Sequence, residues 1–309
     1  MKPFDWTGRL DLEEPGLTTR WHQRVQPFTD QARDGVALLG FAVDEGVRRN
    51  GGRPGAAAGP GALRAALANL PILNEPTLWD AGDVACADGQ LEAAQDVLAQ
   101  RVAAMLNQGC RPLVLGGGHE IAWGTFQGIV RARPNLQNIL VVNFDAHFDL
   151  RQAAQANSGT PFRQISDWCR AHGHPFNYHV LGISRYANTQ ALFDRADALD
   201  VRHVLDENLQ TETGVAAARD DLLVALQRCE AVYLTVCLDV LPGFQAPGVS
   251  APAVLGVPLA SVLALLHTVL ASGKVLASDI AELNPGSDRD ALTAKTAARI
   301  AACKARGSA

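Results

Sequence analysis

The sequence lacks an excess of charge of one sign, a long hydrophobic run and any closely spaced pair of cysteines. Its 27 basic residues are balanced by 32 acidic ones, for a net charge of −5. Binding to nucleic acid needs a concentrated basic surface, so we expect no nucleic-acid partner. No apolar run reaches the roughly 18 residues of a membrane span, and the N-terminus lacks the apolar core of a signal peptide. We therefore expect no membrane partner.

The cysteines number six and show no Cys-x-x-Cys spacing. In a chain of this length such cysteines are typical of reduced thiols in the cytosol, so we expect a cytoplasmic protein without disulfides. We interpret five of them as small hydrophobic residues: Cys86, Cys110, Cys169, Cys229 and Cys303. The sixth, Cys237, lies among polar residues that carry chemistry and is considered with them.

The pattern that is present is an alternation of apolar runs with amphipathic stretches. Strands are predicted at 36–41, 112–115, 138–143, 178–183, 201–204, 231–236 and 275–280. Helices are predicted from 59, at 91–106, through 126–129, and at 213–228, 258–272 and 287–304. This alternation is typical of an α/β fold with a mostly parallel sheet covered on both faces, a three-layer αβα sandwich. No composition break marks a linker, so we expect one domain over 35–309 after an N-terminal surface segment over 1–34.

The segment 44–55 is rich in glycine and arginine and follows the first predicted strand. A stretch with this much glycine makes a poor helix interior. Two interpretations are open for it: a lid or substrate loop, and a plain flexible connector.

The most informative stretch is the apolar run that ends in Asp145, His147 and Asp149. In an extended chain the positions i, i+2 and i+4 point to the same side, so two carboxylates and an imidazole converge at the end of a strand. That end is the edge at which open α/β sheets bind ligands. Because no basic residue lies inside the triplet to relieve the repulsion of the carboxylates, a divalent metal site is favoured over a polar strand end that continues into a loop.

Three further predicted strands end in residues of the same kind. His119 follows three glycines after the strand at 112–115, Cys237 and Asp239 end the strand at 231–236, and Glu282 follows the strand at 275–280. Four such strand ends together are more specific than any one of them. They predict a pair of divalent metal ions that share a bridging carboxylate.

At this point the sequence resembles the ureohydrolase superfamily, which includes arginase, agmatinase and formimidoylglutamase. The likeness spans about two-thirds of the chain, in the same order, and is carried by Gly-Gly-Gly-His at 116–119, Asp-Ala-His-Phe-Asp at 145–149, Ser-Gly-Thr-Pro-Phe-Arg at 158–163, the segment 235–252 and Asp-Ile-Ala-Glu-Leu-Asn-Pro at 279–285. Within the superfamily the likeness is nearest to the bacterial formimidoylglutamases, on the segments 47–55, 150–151 and 247–252. Those enzymes convert N-formimidoyl-L-glutamate and water to L-glutamate and formamide in histidine degradation.

The resemblance implies an arginase-like fold, a small-molecule substrate and a homo-oligomer whose number of subunits the sequence does not fix. It implies one metal ion held by His119, Asp145, Asp149 and the residue at 237. A second ion would be held by Asp145, His147, Asp239 and the residue at 237. Family members are typically manganese enzymes, in which a water-derived nucleophile between the ions attacks the amidine carbon.

The same resemblance implies roles for residues around the ions. Asp149 would orient the nucleophile and help to pass its proton to the leaving amine, and Glu282 would pair with the cationic amidine. Ser158, in a small and polar segment over 153–160, stands where arginases and agmatinases carry a proton-shuttling histidine. That difference agrees with formimidoylglutamases and leaves the proton donor open.

Cys237 departs from the superfamily pattern, in which the first Asp of an Asp-x-Asp pair occupies this position. A thiolate brings the same charge as a carboxylate but must bridge through one sulfur, and its softness favours Zn²⁺ or Fe²⁺ over Mn²⁺. Three interpretations are open: a thiolate ligand, an inert neighbour of a single-metal site, and a change that removes activity.

For substrate binding, the resemblance places Arg151 where family members contact the α-carboxylate of the substrate. An arginine there can hold a carboxylate through two hydrogen bonds. Arg163 and the arginines at 48, 49 and 53 are further candidates, each with a structural role as the alternative. Two other functions also stay open: release of urea from a guanidino acid or agmatine, and a catalytically silent arginase-like protein.

Overall fold

Across residues 4–307, the part of the chain that the computed structural model describes, nine strands form one parallel sheet. The strands are β1 (Val25–Pro27), β2 (Val36–Ala42), β3 (Leu78–Ala85), β4 (Arg111–Leu115), β5 (Ile139–Phe144), β6 (Asn177–Ile183), β7 (Arg202–Leu205), β8 (Ala231–Cys237) and β9 (Val275–Ala281). Their order in the sheet is β1-β3-β2-β4-β9-β8-β5-β6-β7. Every pairing between these strands is parallel, which confirms and extends the prediction of a mostly parallel sheet.

Helices cover the sheet on both faces. They are α1 (Glu45–Arg49), α2 (Gly59–Ala68), α3 (Leu91–Asn107), α4 (Ile121–Ala132), α5 (Pro161–His172), α6 (Gln190–Ala198), α7 (Glu212–Arg228), α8 (Leu259–Ala271) and α9 (Leu292–Arg306). Apolar residues of α2, α7, α8 and α9 form one buried cluster with the sheet, and those of α3, α4, α5 and α6 form a second. No helix within residues 4–307 combines the length and the apolar character that a membrane crossing requires.

Strand β2 shows how the sequence builds these two core clusters. Leu38 belongs to the first cluster and its neighbour Leu39 to the second, and both side chains are fully buried. Successive side chains of a strand point to opposite faces. A strand buried on both faces must therefore be apolar without interruption, which is the pattern of a parallel strand inside a three-layer sandwich.

All seven predicted strands and the predicted helices are present. The boundaries of most of these elements differ by a few residues from the predicted ones. The sequence interpretation missed the elements β1, β3, α1, α5 and α6. It also placed the segment 1–34 on the surface before the fold, whereas the described part of that segment contributes β1 to the edge of the sheet and the fully buried Trp21 to the core. A three-residue strand that ends in proline carries too little periodicity to be recognised.

The positions of four strands decide where the polar strand ends meet. Strands β4, β9, β8 and β5 are consecutive neighbours in the centre of the sheet. Because all four run in the same direction, their carboxyl ends lie side by side at one edge. Nothing in the alternation of strands and helices predicts this order, and it is what assembles the site.

Candidate metal centre

The four central strands deliver their polar side chains to a single buried site. His119 follows β4, Asp145 and His147 follow β5, and Asp239 and Glu282 follow β8 and β9, while Cys237 is the last residue of β8. His119, Asp145, Cys237, Asp239 and Glu282 are all at most 6% exposed. Charged groups this deeply buried need partners or cations to offset their lost hydration.

Three glycines allow the chain to turn from β4 into this site. A Cβ atom at Gly116 would lie 2.2 Å from the backbone oxygen of Ile280, and one at Gly117 would lie 1.8 Å from that of Val43. Only a residue without a side chain fits so close to neighbouring backbone. The glycines therefore place His119 directly against the neighbouring strands.

Two overlapping groups of side chains could each hold a metal ion. His119, Asp145 and Cys237 form the group that we call the buried group, and Asp145, His147 and Asp239 form the group that we call the outer group. Within each group the three ligand atoms lie within 4.8 Å of one another. Asp145 belongs to both groups, as the sequence predicts for a carboxylate shared by two ions.

The contacts within these groups suit ions better than they suit hydrogen bonds. Nδ1 of His119 lies 2.8 Å from Oδ2 of Asp145, yet this buried nitrogen has no hydrogen-bond partner of acceptable geometry in the described structure. Oδ1 of Asp239 is likewise buried without a partner. Nδ1 of His147 lies 3.1 Å from Oδ2 of Asp239. Ligand atoms that converge without bonding to one another are arranged as around a shared cation.

The orientation of His119 follows from its second ring nitrogen. Nε2 lies 3.0 Å from Oγ1 of Thr235, inside the core. Burial alone would lower the pKa of His119, but the adjacent carboxylates of Asp145 and Asp149 raise it well above its usual value. Burial would also lower the pKa of His147, but Asp239 and Asp145 raise it well above its usual value. The site thus attracts positive charge strongly, whether as protons or as metal ions.

Asp149 and Glu282 share an unusual backbone conformation beside the ligand groups. Their φ angles are +48° and +71°, in the left-handed region that residues other than glycine seldom adopt. Oδ2 of Asp149 lies 3.1 Å from Nδ1 of His119, so this carboxylate stands next to the buried group. Strained residues of this kind concentrate at functional sites, where the rest of the fold imposes the conformation.

Both carboxyl groups bind protons more readily than usual. Burial, together with the charge of Asp145, raises the pKa of Asp149 to about 6. Burial, together with Glu120 and Asp239, raises the pKa of Glu282 well above its usual value. Oε1 of Glu282 accepts a hydrogen bond of 3.0 Å from the backbone N–H of His119, while its Oε2 is buried without a partner. That second oxygen is available to a cationic ligand.

The thiol of Cys237 lies in the buried group and is not a member of the outer group among the described residues. Burial, together with the charges of Asp145 and Asp239, raises its pKa well above the usual value. A bound cation is therefore needed to convert this thiol to a thiolate. The position of Cys237 supports a role as a ligand in the buried group, together with His119 and Asp145. It gives less support to a role in which the Cys237 sulfur bridges two ions.

The candidate substrate residues differ in exposure and in whether their side chains already have partners. Arg151 lies two residues after Asp149 and is exposed. Its guanidinium forms no ion pair in the described part of the chain. Its backbone N–H donates to the backbone oxygen of Gly159 over 2.8 Å. Ser158 is buried near it and accepts a hydrogen bond of 3.2 Å from Asn50. Arg163, in contrast, pairs with Asp167 over 3.0 Å.

The arginines of the segment 44–55 brace the structure instead of facing the site. Arg49 pairs with Glu92 over 2.6 Å and also donates to the backbone oxygen of Ala156. Arg53 donates to the backbone oxygens of Val249 and Ser250 over 2.7 and 2.8 Å. Helix α1 occupies part of this segment, so the segment is not a plain flexible connector, and its role as a lid or substrate loop stays a prediction.

Two polar residues that support the ligands were not predicted. Asn143 donates to Oδ2 of Asp145 over 3.0 Å, and Thr235 contacts His119. Each stands two residues before a candidate ligand in an otherwise apolar strand, and therefore on the same face as that ligand. A buried polar residue at that spacing was the signal available in the sequence.

A cavity of about 530 Å³ opens beside the outer group. Its lining includes His147, Ser184, Asp206 and Pro252. A cleft of this size suits a small-molecule ligand and gives a route to His147 from solvent.

Comparisons with known proteins agree with this geometry. The sequence model described as "Arginase family" matches residues 34–305. The formimidoylglutamase of Chromobacterium violaceum is 52% identical over 296 residues, which cover 96% of this chain and 95% of that protein. The formimidoylglutamase of Paraburkholderia xenovorans is 50% identical, with coverage of 97% and 98%.

Solved structures share the fold. The crystal structure of formimidoylglutamase from Bacillus subtilis matches with a TM-score of 0.83 at 23% identity, over 93% of this chain and 92% of that one. The structure of Trypanosoma cruzi formiminoglutamase with Mn²⁺ matches with a TM-score of 0.76 at 25% identity, over 87% of this chain and 92% of that one. The predicted arginase-like fold is confirmed by these neighbours.

Proposed function

This chain belongs to the arginase family, and on that premise we propose that it hydrolyses N-formimidoyl-L-glutamate to L-glutamate and formamide. The observation that carries the proposal is the pair of ligand groups that share Asp145 at the carboxyl edge of the sheet, in a chain whose relatives at about half identity over nearly the full length are named formimidoylglutamase.

We propose that two divalent ions bind here, one to His119, Asp145, Asp149 and Cys237 and the other to Asp145, His147 and Asp239. The additional expectation that Cys237 also reaches the second ion has less geometric support. Mn²⁺ is the first candidate, because imidazole and carboxylate ligands suit it and because a T. cruzi relative was crystallised with it. Cys237 adds a soft ligand that makes Zn²⁺ or Fe²⁺ the alternatives. When bound, such ions lower the pKa of water and polarise the bond that is attacked.

The protein's own residues then orient the substrate and move a proton. In the reaction a C–O bond forms at the amidine carbon, the C–N bond to the glutamate nitrogen breaks, and a proton of water ends on that nitrogen. The carboxylate of Asp149 stands beside the ligand groups, where it can hold the attacking water, take its proton and deliver it to the leaving amine.

Glu282 is the proposed partner of the amidinium group. Its unpartnered Oε2 is buried, and a carboxylate can bind a planar N–C–N cation through charge-assisted hydrogen bonds. Burial excludes competing water from this contact, which strengthens it. Arg151, whose guanidinium is free to bind a ligand, is the proposed partner of a substrate carboxylate, and Ser158 lines the same loop.

The other two functions considered from the sequence receive no specific support. The named relatives give no reason to prefer release of urea. A catalytically silent protein is disfavoured because the Cys237 thiol converges with His119 and Asp145 as a ligand atom, and because the named relatives are formimidoylglutamases. Cytoplasmic location and a homo-oligomeric state stay predictions.

The test is a side-by-side assay of formamide and urea release, with protein loaded in turn with Mn²⁺, Fe²⁺ and Zn²⁺. We expect formamide from N-formimidoyl-L-glutamate with at least one ion, and no urea from arginine or agmatine. Protein that binds metal but releases only urea would contradict the proposed substrate. Protein that binds none of the three ions and turns over neither substrate would contradict the proposed reaction itself.

A further inference from the structure

Three polar side chains lie inside the sheet, behind the ligand groups. They are Tyr233 and Thr235 on β8 and Asp279 on β9, and none of them is exposed to solvent. A buried hydroxyl costs free energy unless it forms hydrogen bonds, and a buried carboxylate costs far more. Three such groups in one place therefore require an explanation beyond packing.

The three side chains form one chain of contacts that begins at His119. Oγ1 of Thr235 lies 3.0 Å from Nε2 of His119. The hydroxyls of Thr235 and Thr125 both lie beside the Tyr233 phenol and act on its pKa. The Tyr233 hydroxyl in turn donates to Oδ2 of Asp279 over 2.5 Å. These neighbouring groups lead from the imidazole to a carboxylate.

Strand register explains how these residues come together. Tyr233, Thr235 and Cys237 alternate along β8 and therefore point to the same face of the sheet. Thr235 and Asp279 are direct partners in the pairing of β8 with β9. The strand that supplies Cys237 to the buried group thus also supplies the support for His119.

The carboxylate of Asp279 fixes the direction of the hydrogen bond that it shares with Tyr233. A carboxylate only accepts, so the phenol of Tyr233 must donate to it. Burial, together with the charge of Asp279, raises the pKa of Tyr233 well above its usual value, so the phenol keeps that proton. The Thr125 hydroxyl donates to the backbone oxygen of Ile121, so the phenol oxygen is left to accept from Thr235. With its proton used in this way, the Thr235 oxygen accepts from Nε2–H of His119.

We propose that Thr235, Tyr233 and Asp279 are positioning residues that hold His119 in the tautomer with its proton on Nε2. Nδ1 then carries a free lone pair directed at Asp145 and Cys237. This inference rests on the metal centre proposed above and names the residues that prepare its buried half. A carboxylate that acts through hydrogen bonds on a ligating imidazole also makes the imidazole a stronger ligand.

A purely structural role for Asp279 is the competing explanation. Nζ of Lys304 donates to the backbone oxygen of Asp279 over 2.5 Å and lies 3.4 Å from that of Leu234. It forms no ion pair with the Asp279 carboxylate in the described structure, and Oδ1 of that carboxylate has no hydrogen-bond partner. Lys304 therefore does not hydrogen-bond the carboxylate of Asp279, although the charge of that carboxylate opposes the lowering of the pKa of Lys304 by burial. A structural role predicts a loss of stability without a loss of metal affinity.

The test compares two variants of one residue. Thr235→Val removes the hydroxyl and keeps the shape of the side chain, whereas Thr235→Ser keeps the hydroxyl. Isothermal titration of metal-free protein with Mn²⁺, and separately with Zn²⁺, gives the dissociation constant of each site, and the site lost in His119→Ala identifies the buried group. Loss of a residue behind a metal ligand typically weakens binding by about 10- to 100-fold. We expect that loss in Thr235→Val and in Tyr233→Phe, with Thr235→Ser close to the parent.

The outcomes separate this inference from the proposed function. Thermal unfolding of the metal-free variants shows whether they are folded, and Tyr233→Phe, which removes a single oxygen, carries the test if Thr235→Val does not fold. Unchanged metal affinity in the folded variants, or an equal loss in Thr235→Ser, would overturn the inference and leave the metal centre standing. A parent protein that binds neither ion would overturn both. Weakened affinity in a protein that releases no formamide would support the inference and contradict the proposed substrate.

Discussion

The two halves of the candidate centre differ in how the protein holds them. The buried group has side chains that are at most 2% exposed, includes a thiol and is supported from behind through Thr235. The outer group shares Asp145 but presents His147, whose side chain is 22% exposed, to a cavity. The difference predicts that an ion at the buried group would be held firmly, whereas an ion at the outer group would stay accessible to solvent and ligand.

This difference has a physical basis in hydration and ligand softness. A group that is fully buried and contains sulfur favours soft divalent ions and exchanges its occupant slowly, because a departing ion leaves uncompensated buried charge. A partly exposed histidine such as His147 can be hydrated when its ion leaves. The predictions below test whether the halves behave in these two ways.

The largest effect is expected from Asp145→Asn, because this carboxylate belongs to both groups. The substitution keeps the size of the side chain but removes the charge on which both groups rely. Loss of several kcal/mol of charge stabilisation corresponds to roughly a 10³-fold fall in kcat/KM. Plasma emission spectrometry of the purified variant should show that the metal content falls from two ions towards zero. Retention of either ion at parental affinity would contradict a shared ligand.

The second prediction separates the halves by removing one histidine from each. His119→Ala should abolish the tighter of two binding events, and His147→Ala should abolish the weaker one. Competition with a chelator, followed by metal analysis over time, measures the two exchange rates. In the parent protein the ion that His147→Ala lacks should leave first. If both variants lose the same ion, or if the parent releases both ions together, the two groups do not differ as described.

The third prediction concerns the sulfur that distinguishes the buried group. Cys237→Asp supplies a hard ligand of the same charge, so it should shift the preference of this group from Zn²⁺ towards Mn²⁺. Cys237→Ala supplies no ligand, so it should lower the affinity of the buried group for Zn²⁺ and for Mn²⁺ by about 10-fold or more. Losing even a residue behind a ligand has an effect of that size. Relative affinities from competition titration check the shift. Unchanged metal content and activity in Cys237→Asp would show that the thiol is not a ligand.

The smallest effect is expected at the residue proposed to bind the substrate carboxylate. Arg151→Ala removes a hydrogen-bonding partner of a charged group, which is worth about 1.5 to 3 kcal/mol, or roughly 10- to 100-fold in kcat/KM for N-formimidoyl-L-glutamate. Arg163→Ala, at an arginine that already pairs with Asp167, is the matched control and should change little. Steady-state kinetics with formimidoylglutamate and with an uncharged amidine decides the matter. An equal loss on both substrates would exclude a carboxylate contact.

The sequence contains enough information to predict the ligand residues, but not their arrangement. The spacing of Asp145, His147 and Asp149 predicts that they lie on one side of an extended chain, but in the structure all three follow the end of β5 and Asp149 is left-handed. The turn of the chain after β5 still brings them to His119 and Asp239. Which ligand atoms share an ion depends on the order β4-β9-β8-β5 and on strand register. The position of Cys237 beside His119, and the contact of Thr235 with the same histidine, follow from that register and not from any local pattern.

The missed strand β3 shows why local patterns fail elsewhere in the fold. It contains Asp80 and Asp83, which argue against a buried strand when the sequence is considered alone. In the structure the fully buried Arg64, from helix α2, pairs with both carboxylates at 2.9 and 2.6 Å. A partner far along the chain neutralises the charges, so tertiary contacts override the local preference. The left-handed conformations of Asp149 and Glu282 are likewise imposed by the surrounding fold.

The most direct measurement is a crystal structure of the protein prepared with Mn²⁺, with anomalous diffraction data to locate the ions. The account predicts two anomalous peaks on either side of Asp145, one contacted by Nδ1 of His119 and Sγ of Cys237 and the other by His147 and Asp239. A single peak, or two peaks of which neither contacts Asp145, would contradict it.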